Sequence, residues 1–155
     1  MLLLLAGCAA PPAPPPPASP FNSTDTAWVQ LMIPMNEQLL PALDHAPPEL
    51  AAFATALRAS HSDELVHLRQ LRDRAGLPDT NVHAGHQMPG LVSEADLLVI
   101  RTDPTALAKK LHEHLDQTAK LARSEQENGT DAETKQLAAA VESSRKDQLA
   151  ELDHG

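Results

Sequence analysis

Four segments of the chain carry apolar residues three and four positions apart, the spacing of an amphipathic helix, and Gly or Pro residues separate them. The segments span residues 24–43, 48–75, 104–127 and 131–152. Only a few residues join the first to the second and the third to the fourth, whereas a much longer stretch joins the second to the third. Because short connections make consecutive helices antiparallel neighbours, the pattern predicts an all-α, up-down four-helix bundle built from two hairpins and a long central crossover.

The composition agrees with a helical bundle. Two Phe, one Trp and no Tyr leave a core of Leu, Ala, Val, Ile and Met. The chain is long enough for one domain, and it has no run of about 18 apolar residues, so we expect no membrane span. With 21 acidic and 12 basic residues the net charge is −9, which argues against a nucleic-acid partner because such binding needs a basic surface.

Capping residues and glycines mark the expected helix ends. Gly76 and Gly129 are the stop signals of the second and third helices, and Pro34 should kink the first. Ser93 can cap a short helical turn within the crossover. The predicted N-caps are Ser23 or Thr24 for the first helix, Thr102 or Asp103 for the third, and Thr130 in a capping box for the fourth.

The N-terminal residues indicate a lipid anchor. Leu5-Ala6-Gly7-Cys8 resembles a bacterial lipobox, in which the Cys is lipid-modified, and residues 9–20 form an uncharged Pro/Ala-rich tether. Only seven residues precede Cys8 and none is basic, so either the true start lies upstream or the match is accidental. Taking the first alternative, we expect a signal remnant at 1–8, a tether at 9–20 and a bundle domain at 21–155, held outside the cytoplasm by a lipid at Cys8.

Each predicted helical stripe is polar or sulfur-bearing near its middle. An unpaired buried polar group costs about 1–3 kcal/mol, so this layer must be satisfied internally, be exposed, or bind a ligand. The first alternative is a hydrogen-bonded layer that fixes helix register, and the last is a metal or small-ligand site. The layer comprises Met35, His61, Glu64, His114, Thr118, Ser144 and Gln148, with Leu137, Val141 and Leu152 completing the stripe of the fourth helix.

The crossover contains a second group of possible ligands, the loop His83–Gly90. It holds His83, His86 and Met88 within six residues. Imidazole suits most late transition metals, and thioether is a soft ligand that favours Cu(I). The loop is therefore either a ligand set or a polar connection that happens to contain two histidines.

Three stretches resemble one bacterial family, the domain of unknown function 305 (DUF305). They are Asp25-x-x-Trp28-x-x-x-Met32-Ile33-Pro34-Met35-Asn36, Ser60-x-x-x-Glu64-Leu65 and His86-Gln87-Met88-Pro89-Gly90-Leu91. The similarity extends over residues 21–152. It implies a ferritin-like four-helix fold of two similar hairpins in an exported, His- and Met-rich protein that is often associated with copper.

The chain also departs from the family pattern. Met35-Asn36 stands where the family has His-His, and the third helix keeps only His114 of the equivalent pair. His61 stands where Gln is usual. In the fourth helix Arg145, Gln148 and Leu152 replace Gln, Glu and Met.

These observations lead to the expectation of a lipid-anchored, non-enzymatic metal-binding protein that sequesters or hands over copper. Met35 and His114, with Met32 and His61, would form a core Cu(I) site, and His83, His86 and Met88 would form a second set. One alternative is a structural or interaction lipoprotein whose metal site has degenerated, with an unidentified protein partner. Another is a di-iron carboxylate site formed by Glu37, Glu64-x-x-His67, Glu113 and Glu151-x-x-His154, although His154 is penultimate and Glu37 and Glu113 lie off the stripes.

Overall fold

The computed structural model describes residues 18–103 and 105–154, and within these residues it contains helices and no strands. A short 3-10 turn at Pro48–Leu50 leads into the second helix. The helices are α1 (Ser23–Leu43), α2 (Ala51–Arg74), α3 (Glu94–Thr102), α4 (Thr105–Asn128) and α5 (Ala132–His154). Cys8 and the tether up to residue 17 lie outside the described residues, so the predictions made for them stay predictions.

The four long helices form the expected two hairpins. α1 pairs with α2, α4 pairs with α5, and the hairpins join through contacts of α1 with α4 and of α2 with α5. The crossover carries α3, which packs against α1 and α4 and corresponds to the predicted short helical turn. The all-α bundle with one long connection is therefore confirmed. No helix in the described part of the chain is long and apolar enough to cross a membrane.

The buried core has an apolar cluster towards each end of the bundle and a polar layer between them. One cluster includes Leu39, Leu57 and Leu111, and the other includes Met32, Leu68 and Val141. Every long helix places one or two buried polar residues at or near the boundary between the two clusters. They are Asn36, His61, Glu64, His114, Thr118 and Arg145.

The buried face of α5 differs from the prediction. The structure buries Arg145, whereas the predicted stripe placed Ser144 and Gln148 in the core, and both of these are only partly buried. Arg is rarely buried unless it is paired, so the sequence pattern favoured its polar neighbours. The true face of α5 is Thr134, Ala138, Val141 and Arg145.

Two of the predicted N-cap residues lie one or two positions from the N-caps in the structure. Asn22, and not Ser23 or Thr24, caps α1: its Oδ1 accepts hydrogen bonds from the backbone of Thr24 and Asp25. Asp131, and not Thr130, caps α5. Side chains that accept from the second or third helical N–H satisfy otherwise unpaired donors, and here the neighbouring residues make other contacts. Gly76 ends α2 with φ 66°, as predicted.

Candidate functional site

Two buried histidines meet in the polar layer. His61 of α2 and His114 of α4 have no exposed surface, and their Nε2 atoms lie 3.0 Å apart. The ring centroids are 5.2 Å apart and the ring planes are tilted by 38°. Both residues occupy otherwise apolar stripes, so each helix delivers its imidazole to the bundle centre by ordinary helical periodicity.

The other nitrogen of each ring is held by the backbone. Nδ1 of His61 lies 3.0 Å from the carbonyl oxygen of Leu57, and Nδ1 of His114 lies 3.0 Å from that of Gly90. A carbonyl oxygen only accepts hydrogen bonds, so each of these two contacts is a hydrogen bond only when Nδ1 carries the proton. In the neutral form both Nε2 atoms then present lone pairs to each other. The two contacts with carbonyl oxygens and the contact between the two Nε2 atoms would need three protons to be hydrogen bonds, and two neutral imidazoles carry only two.

The missing proton is not supplied by solvent at neutral pH. Burial, helped by the positive charge of Arg145, lowers the pKa of His61 well below its usual range and that of His114 to about 3. The site therefore holds two neutral rings whose free lone pairs converge. A cation bound to both would satisfy them after the rings move apart from 3.0 Å, because metal–imidazole bonds are about 2.0 Å long.

Arg145 is the charged centre of the layer. Its guanidinium is fully buried and forms a bidentate pair with Glu64, with Nη1–Oε1 at 2.8 Å and Nη2–Oε2 at 2.5 Å. Its Nε donates to the hydroxyl of Thr118 at 3.0 Å. Bidentate geometry of this kind is the strong form of a carboxylate–Arg interaction. The pair joins α2 to α5 and is electrically neutral as a unit.

Asn36 completes the layer from α1. Its Nδ2 donates to Oε2 of Glu64 at 3.0 Å, while its Oδ1 is buried with no hydrogen-bond partner among the described residues. All four long helices therefore contribute to one connected layer. Unsatisfied buried acceptors are uncommon in proteins, and this one lies in the same layer as the two unsatisfied Nε2 atoms.

Gly90 connects the crossover loop to the site. Its φ is +75°, and a Cβ on it would lie 2.9 Å from both Cβ of Gln117 and the carbonyl oxygen of Glu113. Only glycine tolerates this backbone conformation easily and leaves room for the close approach to α4. That approach places the Gly90 carbonyl on His114, so this end of the His83–Gly90 loop acts on the core through its backbone.

The structure separates the predicted ligands into groups. His61 and His114 meet in the core. Met35 is buried with Leu31 and Leu91, and Met88 packs against that cluster. Met32 lies in the cluster that contains Trp28 and Leu68.

The loop histidines form their own pair. The rings of His83 and His86 are 5.7 Å apart, edge to face, with His86 exposed. They line an open cleft of about 600 Å³ together with Glu37 and Glu94.

Sequence reasoning missed Arg145 and Asn36 as members of the site. The signal that could have found Arg145 was Glu64, a carboxylate on an apolar stripe that needs a buried cation. The carboxylates considered for a di-iron site do not converge. Glu37 forms an ion pair with Arg69, and Glu113 forms one with Lys110. Within residues 18–103 and 105–154, no three His, Cys, Asp or Glu side chains are grouped to hold a metal.

No family model and no curated protein matches the sequence. Among solved structures, the chain is similar to a crystal structure of a DUF305 fragment from Deinococcus radiodurans. The TM-score is 0.75, the sequence identity is 14%, and the match covers 87% of this chain and 96% of that one. The chain has the DUF305 fold. At this identity the likeness establishes the fold alone, and it confirms the fold that the sequence resemblance implied.

The middle of the bundle holds residues at which the chain departs from the pattern that the sequence resemblance implies. His61 and Arg145 both stand where the pattern has Gln, and Asn36 stands where it has His. All three are buried in the layer described above. The chemistry of this site must therefore be argued from the chain's own side chains.

Proposed function

We propose that this protein binds one Cu(I) ion between His61 and His114 and serves to sequester copper or hand it over outside the cytoplasm, without catalysing a reaction. The observation that carries the proposal is the pair of facing Nε2 atoms, 3.0 Å apart, with both Nδ1 atoms committed to backbone carbonyls. Metal-bound histidines commonly donate their other N–H to a carbonyl in this way.

The protonation state of the pair supports a metal ligand role. A histidine binds metal only through an unprotonated nitrogen. The lowered pKa values keep both rings neutral at neutral pH, and the carbonyl contacts of Nδ1 favour Nε2 as the nitrogen without a proton. A bound cation would also replace the contact between two lone pairs with two favourable bonds. Binding would therefore release no proton from these rings and would remove the unfavourable contact between the two lone pairs.

The charge around the pair favours a monovalent ion. Arg145 is balanced by Glu64, so the layer is neutral before a metal enters. A cation close to Arg145 is repelled by the guanidinium, and the repulsion is twice as large for a divalent ion as for a monovalent ion at the same distance. Zinc, in addition, is almost always held by four ligands or by three and a water, and the described residues offer no third His, Cys, Asp or Glu at this pair. Two imidazoles therefore fit Cu(I) better than a divalent ion.

Soft sulfur ligands lie on the loop side of the layer. Met35 and the partly buried Met88 pack in one cluster with Leu91, the residue after Gly90. Thioethers bind Cu(I) in preference to harder ions. In this proposal Met88 takes up the ion at the surface and Met35 lies on its route to the histidines, whereas Met32 belongs to the other end of the core and has no part.

The proposed location rests on the Leu5–Cys8 motif and the tether after it. A single acyl chain holds a protein to a membrane only weakly, whereas two or more hold it stably. Metabolic labelling of the full chain in bacteria with an alkyne fatty acid tests this. We expect Cys8→Ser to lose the label, and labelling that persists in that variant would contradict the lipid anchor.

Arg145 favours a second candidate function, a non-catalytic structural lipoprotein whose metal site has degenerated. Its guanidinium already links helices α2, α4 and α5 through Glu64 and Thr118. In this alternative the guanidinium of Arg145 links the helices in the way that a metal would, and the histidine pair contributes only to core packing.

The two candidates differ in what a Cu(I)-loaded sample contains. We propose to load full chain carrying Cys8→Ser, which removes the thiol, under anaerobic conditions and to record X-ray absorption at the copper edge. The metal proposal expects copper with a first shell dominated by two imidazole nitrogens. Copper lost on gel filtration, or a shell that disappears in a His83→Gln/His86→Gln variant, would favour the structural candidate.

A further inference from the structure

The start of α1 and the turn between α4 and α5 meet through two buried carboxyl groups, Asp25 and Glu125, neither of which is exposed. Asp25 accepts hydrogen bonds from the backbone N–H groups of Asn22 at 2.6 Å, Thr130 at 3.0 Å and Asp131 at 3.1 Å. The hydroxyl of Thr130 adds another at 3.0 Å. A carboxylate that receives this many donors is strongly stabilised in its ionised form.

Glu125 has the opposite surroundings. Both of its carboxyl oxygens are buried and receive no hydrogen bond from an N–H or O–H donor in the described residues, yet the group contacts the carboxyl of Asp25. The fit is close, because a Cβ on Gly129 would overlap Oε1 of Glu125 and lie 2.7 Å from Oδ1 of Asp25. An ionised carboxyl group can only accept. The contact is therefore favourable only when Glu125 keeps its proton and donates it to Asp25.

The neighbouring charges are of both signs. Burial and the charge of Asp25 raise the pKa of Glu125 to about 8, and Asp131 adds to this, whereas Lys135 of α5 opposes it. Arg74 of α2 comes near but is held by Asp131, at 2.6 Å, and by Glu133. Asp131 and Glu133 therefore largely neutralise the charge of Arg74, and Glu125 has no direct cationic partner among the described residues.

We propose that the Asp25–Glu125 pair is a proton-held clasp that joins the start of α1 to the α4–α5 turn and opens when the pair loses its proton in mildly alkaline solution. This clasp is independent of the proposed copper site. Glu125 lies eleven residues after His114, about 16 Å along α4.

Opening of the clasp would act on the N-terminal attachment of the bundle. The hydroxyl of Thr130 shares its single proton between Asp25 and the carbonyl oxygen of Pro20, which lies 2.9 Å away, and Nδ2 of Asn22 donates to the carbonyl oxygen of Asn128. The same turn therefore holds the residues that lead into the bundle. Two adjacent carboxylates would repel each other. This repulsion would weaken the contacts of Pro20 and Asn22 with the α4–α5 turn.

The sign of the effect follows from the two pKa values of Glu125, 4.5 in its ordinary state and about 8 when folded. The clasp's contribution to stability is fully present below pH 4.5 and is lost as pH rises through about 8. In that interval the folded state binds one proton more than the unfolded state, so the unfolding constant rises about tenfold per pH unit. At pH 6.5 the two histidines are still half protonated in the unfolded chain and act in the opposite direction up to about pH 7.5, so the clasp must be measured against a variant that keeps both histidines.

The test is denaturant unfolding of the full chain between pH 6.5 and 9, compared with Glu125→Gln and with Glu127→Gln, an exposed change on the same helix. We expect the unfolding constants of the wild type and of Glu127→Gln, each divided by that of Glu125→Gln at the same pH, to rise about 30-fold over this range. In Glu125→Gln, whose amide can donate to Asp25 at every pH, the unfolding constant itself should not rise but fall about fourfold, because the two buried histidines lose their protons in the unfolded chain. Equal slopes in Glu125→Gln and the wild type would overturn the clasp.

Hydrogen exchange on the wild type provides a second test that needs no variant. The amides of Thr130 and Asp131 donate to Asp25. Their protection factors, corrected for the intrinsic rise of exchange with pH, should fall as pH rises from 7 to 9. Protection at Thr130 and Asp131 that stays level from pH 7 to 9 would contradict the proposal.

Discussion

The backbone carbonyl oxygen of Gly90 accepts a hydrogen bond from Nδ1 of His114 at 3.0 Å. This contact connects the crossover between the hairpins to the centre of the bundle. It fixes the tautomer of His114 and turns its Nε2 towards His61. The histidine pair is thus positioned both by the helices that carry it and by a loop that passes over α4.

Gly90→Ala should weaken both stability and the site. The added Cβ meets backbone and side-chain atoms of α4 at 2.9 Å, and φ is +75°. Strained backbone and overpacking each cost about 1–3 kcal/mol. Gly85→Ala is the matched control, because Gly85 has φ +77° and open space around it. Chemical denaturation should give a larger loss for Gly90→Ala than for Gly85→Ala, and equal losses would mean that the approach to α4 is unimportant.

Arg145→Met should be strongly destabilising, since it leaves Glu64 buried without a cation. Removing one partner of a buried ion pair costs about 3–5 kcal/mol, whereas replacing both partners is far milder. We therefore expect Arg145→Met/Glu64→Gln to recover most of the loss. Arg123→Met, which breaks the exposed pair with Glu142, is the control and should cost less than about 1 kcal/mol. A double variant no more stable than Arg145→Met would show that the pair is not the cause.

The proton count at the histidine pair predicts an acid-side pH dependence. Folded His61 and His114 have lowered pKa values and stay neutral, while the unfolded chain takes up protons below pH 6.5. Stability is therefore lost as pH falls through this range. In a Glu125→Gln background, which removes the opposing clasp, the free energy of unfolding should rise by about 3 kcal/mol from pH 5 to 6.5. A rise of about 1 kcal/mol or less would mean that the folded pair already holds a third proton.

Met88→Leu should slow Cu(I) loading and leave the final affinity unchanged if Met88 serves only for uptake. Leu and Met have similar volumes, so the packing against Met35 and Leu91 should survive. Stopped-flow transfer from a Cu(I) chelator measures the rate, and Met32→Leu in the other cluster is the control. Loading as fast as in the control would remove Met88 from the route.

Much of the fold could be predicted because helical periodicity is local. The stripe of α2, from Phe53 through His61 and Glu64 to Leu71, is buried as expected, and the polar layer lies near mid-bundle. The face of α5 could not be read in the same way. Arg145 is buried because Glu64, 81 positions away, neutralises it. Glu64 on an apolar stripe indicates that a buried cation is needed, but the local pattern of α5 does not show that Arg145 supplies it.

The ligands were predicted less completely for the same reason. His61 and His114 were both identified as candidates, but their direct contact depends on how α2 and α4 cross. The backbone carbonyls of Leu57 and Gly90 decide which nitrogens are free, and no side-chain pattern encodes them. Met32 and Met35 share a helix, yet they pack in different clusters.

The most direct measurement is a competitive Cu(I) titration of full chain carrying Cys8→Ser, alone and with His114→Gln or His112→Gln. His112 is an exposed histidine two residues away on the same helix. We predict one Cu(I) bound with a Kd below about 10 μM, corresponding to about −7 kcal/mol, unchanged by His112→Gln and weakened at least 100-fold by His114→Gln. Binding weaker than about 10 μM, or equal binding by both histidine variants, would contradict a copper site at His61 and His114.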